Sequence, residues 1–391
     1  MDFKYRLLTP GPTMIPEEVK LELSRDIIHH RKDRFKSIMR GLQPKLKTLF
    51  GTKEDVLILS SSGTGAMQAA VFNLFNPGEK VIVVEGGKFG KRWTEIAKKR
   101  SLKPVIIEVE WGEAVDPELV KDTIKKEKDI KGILVQASET STGVLHPIKE
   151  LGEITQKFDI LLVVDGISAV GISPLPMDRW GVDCLITGSQ KGLMLPPGLS
   201  LISLSEKAYN KALGVISSDF YFDLKKEKNK IKQGETAYTS PVALILGLNA
   251  IMDLFLSYGL ENIYKKYWAL TQMTRCGVSA IGLSCFAEKN YTWGLTSVRV
   301  PKNIDGKELL NKIASTFNLH LAGGQDHLKG KIIRIGHMGY VDMSDILFAL
   351  NAIAWTLKKE YNFVIKEKDF LEQASTSYFD AKEQGYERYF S

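Results

Sequence analysis

The feature that most constrains the fold is a regular alternation of short β-branched runs with segments of helical pattern, beginning near residue 55. The runs are apolar on both faces, which is typical of strands covered by helices on both sides of a mostly parallel sheet. Seven runs are expected as strands: 56–59, 80–84, 104–107, 132–135, 159–165, 184–187 and 199–204. Because Pro196-Pro197-Gly198 forces a tight reversal, the last strand is expected to run antiparallel. The sequence therefore predicts an α/β fold with a mostly parallel seven-stranded sheet in a large domain.

The C-terminal third predicts a smaller α+β domain. Pro241 is expected to open a long apolar helix to about residue 258, and a second helix follows over 260–279. Strands are predicted at 294–299 and 331–335, and helices at 309–317 and 344–357. We divide the chain into an N-terminal segment near the functional site or the small domain (1–14), a large domain (15–258), a small domain (259–360) and an extension (361–391). The extension is expected to dock on the body or on a partner subunit through Tyr378, Phe379, Tyr386, Tyr389 and Phe390.

The composition argues against several classes of function. The chain has 391 residues, and its 53 Lys and Arg exceed its 46 Asp and Glu by a small margin spread along the sequence. The densest basic run, 225–232, has no interleaved aromatic residues, so it predicts a solvated surface and not a nucleic-acid interface. The longest apolar stretch, 242–256, contains Asn249 and Asp253 and is too short to span a bilayer.

The three cysteines predict a reducing environment. Cys184, Cys276 and Cys285 lack CxxC spacing, so neither a disulfide framework nor a metal site is expected. Residues 1–6 contain no apolar run of the kind that signal peptides carry. The sequence thus indicates a cytoplasmic protein without a metal, a membrane or a nucleic acid as partner.

An acid and a lysine stand at the ends of two consecutive predicted strands. Asp165 ends the apolar run 161–164, and Lys191 lies in the turn after the strand at 184–187. A lysine amine can form a Schiff base with the aldehyde of pyridoxal phosphate, and a carboxylate can keep the pyridine nitrogen of that cofactor protonated. The pair alone is weak, since acids at strand ends often cap turns and most lysines are solvated. Whether this chemistry is present therefore depends on motifs elsewhere in the sequence.

The turn between the first predicted strand and the first predicted helix favours a phosphate. It reads Ser60-Ser61-Ser62-Gly63-Thr64-Gly65, and small residues allow the backbone amides at a helix N-terminus to close around an anion. The turn lacks the GxGxxG spacing of dinucleotide sites and the GK[ST] of P-loops. Beside an Asp and Lys pair, a single phosphate on pyridoxal phosphate fits best.

With these features, the chain resembles the class V family of fold-type-I pyridoxal phosphate enzymes, and within it the alanine–glyoxylate and serine–pyruvate aminotransferases. The resemblance extends from residues 8–12 to residues 334–336, about five-sixths of the chain. The motifs that carry it are Glu139-Thr140-Ser141-Thr142-Gly143, Val164-Asp165-Gly166, Gly188-Ser189-Gln190-Lys191 and Pro196-Pro197-Gly198.

The resemblance implies a set of site residues. Lys191 and Asp165 are expected to be catalytic and to hold pyridoxal 5'-phosphate. The remaining residues assigned to the cofactor are Ser62, Gly63, Thr64, Phe89, Thr140, Ile167, Gln190, Thr236 and Thr239. Arg334 is expected to grip the substrate carboxylate with its planar guanidinium, with Gly11 and Thr140 beside it. Since relatives use the threonine matching Thr239 on the neighbouring subunit's phosphate, a homodimer with composite active sites is implied.

The implied activity is transfer of an amino group from alanine or serine to glyoxylate or pyruvate by a ping-pong mechanism. An aspartate-preferring aminotransferase and a lyase or cysteine desulfurase on the same fold are the alternatives. A desulfurase needs a thiol on the loop before the carboxylate-binding arginine, and residues 322–331 contain none. A non-catalytic assembly subunit would be expected to lose Lys191, Asp165 or Arg334, and all three are present.

Overall fold

The computed structural model describes residues 3–216 and 219–389. The expected part of Phe390 in docking the extension therefore lies outside the described residues. The strands in these ranges are β1 (Arg6–Leu7), β2 (Val56–Leu59), β3 (Lys80–Glu85), β4 (Lys103–Glu108), β5 (Ile130–Gln136), β6 (Ser138–Glu139), β7 (Val144–Leu145), β8 (Leu161–Asp165), β9 (Cys184–Gly188), β10 (Ser200–Leu204), β11 (Leu295–Arg299), β12 (Leu319–His320), β13 (Ala322–Gly323) and β14 (Ile332–Gly336).

The helices lie mainly between these strands and in the C-terminal half. They are α1 (Glu17–Leu23), α2 (Asp33–Phe50), α3 (Gly63–Leu74), α4 (Lys88–Lys99), α5 (Pro117–Lys126), α6 (Ile148–Phe158), α7 (Glu206–Leu213), α8 (Leu224–Ile231), α9 (Val242–Tyr258), α10 (Leu260–Ile281), α11 (Gly306–Phe317), α12 (Met343–Tyr361) and α13 (Phe370–Gln384).

The central element is a seven-stranded sheet in the order β2-β10-β9-β8-β5-β3-β4. Only β10 runs antiparallel to its neighbours β2 and β9, as the Pro-Pro-Gly reversal predicted. Every residue of β8, β9 and β10 is buried, which explains their continuous apolar runs. The carboxyl ends of the parallel strands therefore meet at one edge, where open α/β sheets bind ligands.

A smaller antiparallel sheet, β11-β14-β13, belongs to the C-terminal part together with α11 and α12. The predicted fold class, a mostly parallel seven-stranded sheet with a smaller α+β part, is confirmed. The divisions at residues 14, 258 and 360 stay predictions.

Both ends of the described chain pack on the C-terminal part. β1 pairs in parallel with β12, and Gly336 N donates to the carbonyl of Leu8 at 2.7 Å. The extension lies along α10, where Gln373 O is 3.6 Å from Cys276 Sγ. Tyr386 also donates a hydrogen bond to Glu261 at 2.6 Å. These contacts explain why the extension carries several aromatic side chains.

Some element boundaries differ from the predicted ones. The sequence pattern predicts helices over 66–75 and 93–100, but α3 starts at Gly63 and α4 at Lys88, several residues earlier. Glycines in both first turns hide the helical pattern, because glycine is a poor helix former. β8 starts at Leu161 instead of 159, because Asp159 ends α6 in a left-handed conformation with φ of 51°.

Within the described ranges, no single helix is both long and apolar enough to cross a bilayer. The pair α9 and α10 passes such a test only when taken together, and the two helices are bent by 87° at their junction.

Candidate active site

The predicted catalytic lysine lies on the turn after β9, at the carboxyl edge of the large sheet. Lys191 Nζ donates a hydrogen bond to the carbonyl of Pro10 in the N-terminal segment. Burial lowers the pKa of this amine to about 8, and the positive charge of Arg334 lowers it further, while Asp165 opposes the shift. Roughly a tenth of the amine is therefore neutral at pH 7, against well under a hundredth for an ordinary lysine. A neutral amine can act as a nucleophile or a base.

Asp165 is the last residue of β8 and is 4% exposed. Its carboxylate accepts a hydrogen bond from Ile167 N at 2.8 Å. Burial raises its pKa to about 7, the nearby Glu139 carboxylate adds to the rise, and Arg92 and Lys191 oppose it. A buried carboxylate in this state gains most from a cationic partner, which a protonated ring nitrogen would provide.

Arg334 lies on β14 and is buried. Its Nε donates to the carbonyl of Gly323 at 2.9 Å, and its Nη1 donates to the carbonyl of Thr140 at 2.8 Å. Burial lowers its pKa to about 10, so it remains charged at neutral pH. Within residues 3–216 and 219–389 it forms no ion pair with an acid, and its charge can therefore serve an anionic ligand.

The N-terminus of α3 forms an anion cradle. Ser62 precedes the helix in an extended conformation and does not cap it with its side chain, while Ser62 and Thr64 are exposed. Gly188 lies between Gln190 and the start of α3. A Cβ added to Gly188 would lie 3.0 Å from Gln190 Oε1 and 3.4 Å from the backbone N of Gly63, so the Gln190 side chain lies close to the first backbone amide of the helix. Gln190 Oε1 is buried without a hydrogen-bond partner. This unpaired amide group indicates a site for a polar ligand.

Ile167 and Phe89, both predicted to bind the cofactor, are each linked to this cradle. Ile167 packs against Gly63, where an added Cβ would collide with Ile167 Cδ1. Phe89 lies in the first turn of α4, and the Arg92 guanidinium stands 4.9 Å above its ring centre. Arg92 also donates to Thr64 Oγ1 at 3.1 Å, which leaves the Thr64 hydroxyl proton free for an anion.

Thr140 contacts Arg334, and Gly11 lies against Lys191. Thr140 is buried, donates to Ser168 Oγ at 2.9 Å and offers its carbonyl to Arg334. Gly11 approaches the lysine so closely that an added Cβ would lie 2.5 Å from Lys191 Nζ. Its role in the sequence motif is therefore to leave room for the lysine side chain.

The segment of Thr236 and Thr239 lines a small pocket together with Ser60, the first residue of the turn before α3. The Thr236 hydroxyl is buried and bonds within the segment, to Tyr238 O at 2.9 Å and Ser240 Oγ at 2.6 Å. Arg31 holds the segment through Glu235 at 2.6 Å and the carbonyl of Thr236 at 3.1 Å. Thr239 is exposed. A role for these threonines at a second subunit's site stays a prediction.

The sequence reasoning missed two charged residues of the site. Arg92 joins Phe89 to Thr64, and Glu139 is a completely buried acid that bonds to the backbone of α4. Glu139 opens one of the motifs that carry the family resemblance. The only sign of its own role in the sequence is that an acid stands in an otherwise buried stretch. In the part of the chain that the structure describes, no group of three or more His, Cys, Asp or Glu is arranged to hold a metal ion.

A glycine pair tests the crowding around Lys191. Gly11→Ala forces a side chain against Lys191 at a φ of 104°, so we expect cofactor-dependent absorbance and turnover to fall at least tenfold. Gly41→Ala is the control, because an added Cβ there meets nothing within 4 Å in the middle of α2. It should raise stability by roughly 0.5–1 kcal/mol and leave activity unchanged. Equal activities of the two variants in a steady-state assay would contradict this account of Gly11.

The geometry defines an α/β fold in which a partly buried lysine and a buried aspartate at the edge of the large sheet lie near a buried arginine of the small sheet. The chain matches the aminotransferase class-V family over residues 12–347 and belongs to that family. It is 38% identical to an uncharacterized aminotransferase of Methanocaldococcus jannaschii, over 93% of this chain and 95% of that protein. It is 36% identical to a protein named soluble hydrogenase, small subunit, of Synechococcus, over 90% of this chain and 93% of the other.

Relatives with a named transaminase activity are also found. A serine–glyoxylate aminotransferase of Methylorubrum extorquens is 34% identical, over 88% of this chain and 89% of that protein. The crystal structure of the ureidoglycine–glyoxylate aminotransferase of Bacillus subtilis superposes with a TM-score of 0.92 at 28% identity, over 97% of this chain and 99% of the other. The predicted membership in the class V aminotransferases, with a fold-type-I architecture, is confirmed.

Proposed function

We propose that this chain is a pyridoxal phosphate-dependent aminotransferase that moves the amino group of serine or alanine to glyoxylate or pyruvate. One observation carries the proposal. A single buried sheet edge places a lysine with a lowered pKa, a buried aspartate and an arginine without an acidic partner beside an uncapped helix N-terminus. The names of the relatives, in which glyoxylate recurs, support the acceptor.

The residues present fit pyridoxal phosphate. The uncapped N-terminus of α3, with its free backbone N–H groups, suits the phosphate. The unpaired atom of Gln190 is the acceptor Oε1, which calls for a donor group on the ligand or on a bridging water. Ile167 and Phe89 provide apolar faces for the ring, and Asp165 provides the acid for its nitrogen. When bound, the cofactor supplies an electron sink that makes the α-proton of an amino acid acidic.

The chain's own residues would perform the remaining work. Arg334 binds the substrate α-carboxylate through its free N–H groups and thereby fixes the Cα–H bond relative to Lys191. In its neutral form Lys191 would remove the α-proton, and as the resulting ammonium it would hold that proton and donate it back. Asp165 keeps its negative charge next to the ring nitrogen, and the buried surroundings exclude water from the proton transfer.

The pKa of Lys191 predicts a distinctive pH profile for cofactor capture by the cofactor-free protein. Only the neutral amine attacks an aldehyde, so the rate should rise with pH and level off above about 8, where Lys191 is deprotonated. An unperturbed lysine would keep gaining rate up to about 10.4. Stopped-flow absorbance after addition of pyridoxal phosphate measures this profile. A rate that still climbs steadily between pH 9 and 10 would contradict the lowered pKa.

Two alternatives are less well supported. A desulfurase needs a thiol near Arg334, but Cys184 is buried in β9 and Cys276 and Cys285 lie on α10 and just after it. Burial raises the pKa of the Cys285 thiol, which opposes nucleophilic chemistry. A purely structural subunit, as the relative named for a hydrogenase suggests, would not require Lys191, Asp165 and Arg334 to stay together.

A cytoplasmic homodimer with composite sites is part of the proposal. Thr239 is exposed within one chain, and the α1 region carries apolar side chains in the open, with Leu21 66% and Ile27 76% exposed. Such exposure favours a second copy over this surface. Sedimentation should show a dimer, and Thr239→Ala should weaken cofactor binding if the partner's phosphate is its ligand.

Steady-state kinetics test the proposed activity. Initial rates with L-serine, L-alanine and L-aspartate against glyoxylate and pyruvate should give parallel double-reciprocal lines, as ping-pong chemistry requires. Serine or alanine with glyoxylate should be the fastest pair. A clear preference for aspartate would move the assignment to an aspartate-specific aminotransferase. Release of sulfide from cysteine without transamination would replace it by a desulfurase.

A further inference from the structure

Glu139 is a buried acid of the site that the proposed mechanism leaves without a task. Its side chain is completely buried at the end of β6, and burial raises its pKa. Three backbone N–H groups donate to its carboxylate, from Gly90 at 3.0 Å, Ser141 at 3.1 Å and Phe89 at 3.2 Å, and the Ser141 hydroxyl donates at 2.5 Å. Every partner is a donor, which suits a carboxylate that accepts and does not donate.

Two of these donors are the second and third amides of α4, and the first amide, Lys88 N, donates to Ser141 Oγ at 3.1 Å. The residue before this helix is Gly87, which has no side chain to cap it, so Glu139 supplies the cap from another element. A negative group at a helix N-terminus is stabilised by the helix dipole and by the unpaired N–H groups. Gly87 must be small here, because an added Cβ would collide with Glu139 Cδ. The carboxylate thus fixes the first turn of α4, which carries Phe89.

The same carboxylate fixes the turn that holds Arg334. Ser141 is tied to Glu139 by two hydrogen bonds, and Thr140 lies between them in the chain. The carbonyl of Thr140 accepts a hydrogen bond from Arg334 Nη1 at 2.8 Å. The charge of Glu139 also acts on Arg334 and Asp165, since it raises the pKa of both.

We propose that Glu139 is the positioning residue of the site, which sets Phe89 against the cofactor ring and orients Arg334 toward the substrate carboxylate. The inference rests on the proposed function, because both of these groups act on the cofactor or the substrate. The charged groups around it are Asp165, Arg334, Arg92 and Lys191, and Glu139 brings a negative charge to a cluster with three cations.

Glu139→Gln is the main variant. The amide keeps the shape of the side chain but removes its charge, and its NH2 group must face one of the four donors. Asp183→Asn is the matched control, because Asp183 is also a buried acid, with donors from Leu162 N at 2.9 Å and Ser205 Oγ at 2.7 Å. Asp183 lies before the start of β9, at the opposite edge of the sheet from Lys191. Both variants are expected to lose some thermal stability.

The readouts separate positioning from stability. In Glu139→Gln, the pH midpoint of the visible band of the bound cofactor should shift downward by about half a unit or more, since a negative charge is lost. The dissociation constant for pyridoxal phosphate should rise about tenfold, because an unsatisfied donor displaces Phe89. In the cofactor-free protein, the amides of Phe89 and Gly90 should exchange hydrogen faster. Asp183→Asn should leave all three quantities as in the wild type.

Glu139→Asp provides a second test that does not depend on the glutamine variant folding. It keeps the charge but shortens the reach by one methylene, so the pH midpoint should stay while cofactor affinity and amide protection fall. Wild-type affinity and protection in both variants would overturn the inference and leave the proposed function intact. Absence of any cofactor-dependent band in the wild type would overturn the proposed function and this inference with it.

Discussion

Replacing Lys191 with alanine lowers transamination by about 1000-fold or more while the protein remains folded. The substitution removes both the amine that attaches the cofactor and the general base, and a positioned base alone contributes about 10²–10⁴-fold. Truncation also vacates the space beside Gly11, so cofactor should still bind by its phosphate and ring. Single-turnover rates with serine and glyoxylate, together with the visible absorption spectrum, measure the effect.

Lys266→Ala provides a matched control for this prediction. Lys266 on α10 is a half-buried lysine whose pKa burial also lowers, and it lies outside the site. Its removal should change stability slightly and leave the rate within about twofold, as is usual for positions away from a functional site. Retention of most of the activity by Lys191→Ala would contradict the assignment of the catalytic base.

Replacing Arg334 with lysine lowers kcat/KM by about 100-fold or more, corresponding to ~3 kcal/mol. A lysine keeps the positive charge but cannot donate in a fork to a carboxylate, and it leaves the carbonyls of Thr140 and Gly323 without their donor. The loss should fall mainly on KM for both the amino acid and the oxo acid, because each carries the same carboxylate. Initial-rate kinetics over a range of both substrates separate KM from kcat.

Arg299→Lys on the neighbouring strand β11 is the control for Arg334. Arg299 is exposed, and its guanidinium stands 4.6 Å over the ring of Phe286. Its replacement should leave both Michaelis constants unchanged. A fall in kcat with unchanged KM in Arg334→Lys would mean that Arg334 acts on the transition state alone and does not bind the ground-state carboxylate.

The fold could be predicted from the sequence because central strands of the large sheet appear as continuous apolar runs. β8 and β9 are buried on both faces, so their runs 161–164 and 184–186 are apolar without interruption. The helix starts at Gly63 and Lys88 could not be predicted, since glycines needed for close backbone contacts mask the helical pattern. The small hairpin of β6 and β7 was also missed, because two-residue strands leave no periodicity.

The site residues could be predicted from the sequence where the proposed chemistry requires a particular side chain. Lys191, Asp165 and Arg334 follow from the chemistry and from the motifs around them, and the structure gathers them at one edge of the sheet. Arg92 and Glu139 were missed because their roles depend on contacts with Thr64 and with the amides of α4, which are distant in sequence. The role of Thr239 depends on a second chain, whose placement no single sequence specifies.

The central claim is that this sheet edge carries out half of a transamination on a small amino acid. The most direct test is the absorption spectrum of the purified protein, reconstituted with pyridoxal phosphate, during single additions of L-serine, L-alanine and L-aspartate without an oxo acid. The account predicts that serine or alanine converts the visible band to that of the amine form, and that glyoxylate restores it. A protein that shows no cofactor band, or a band unchanged by all three donors, would contradict the account.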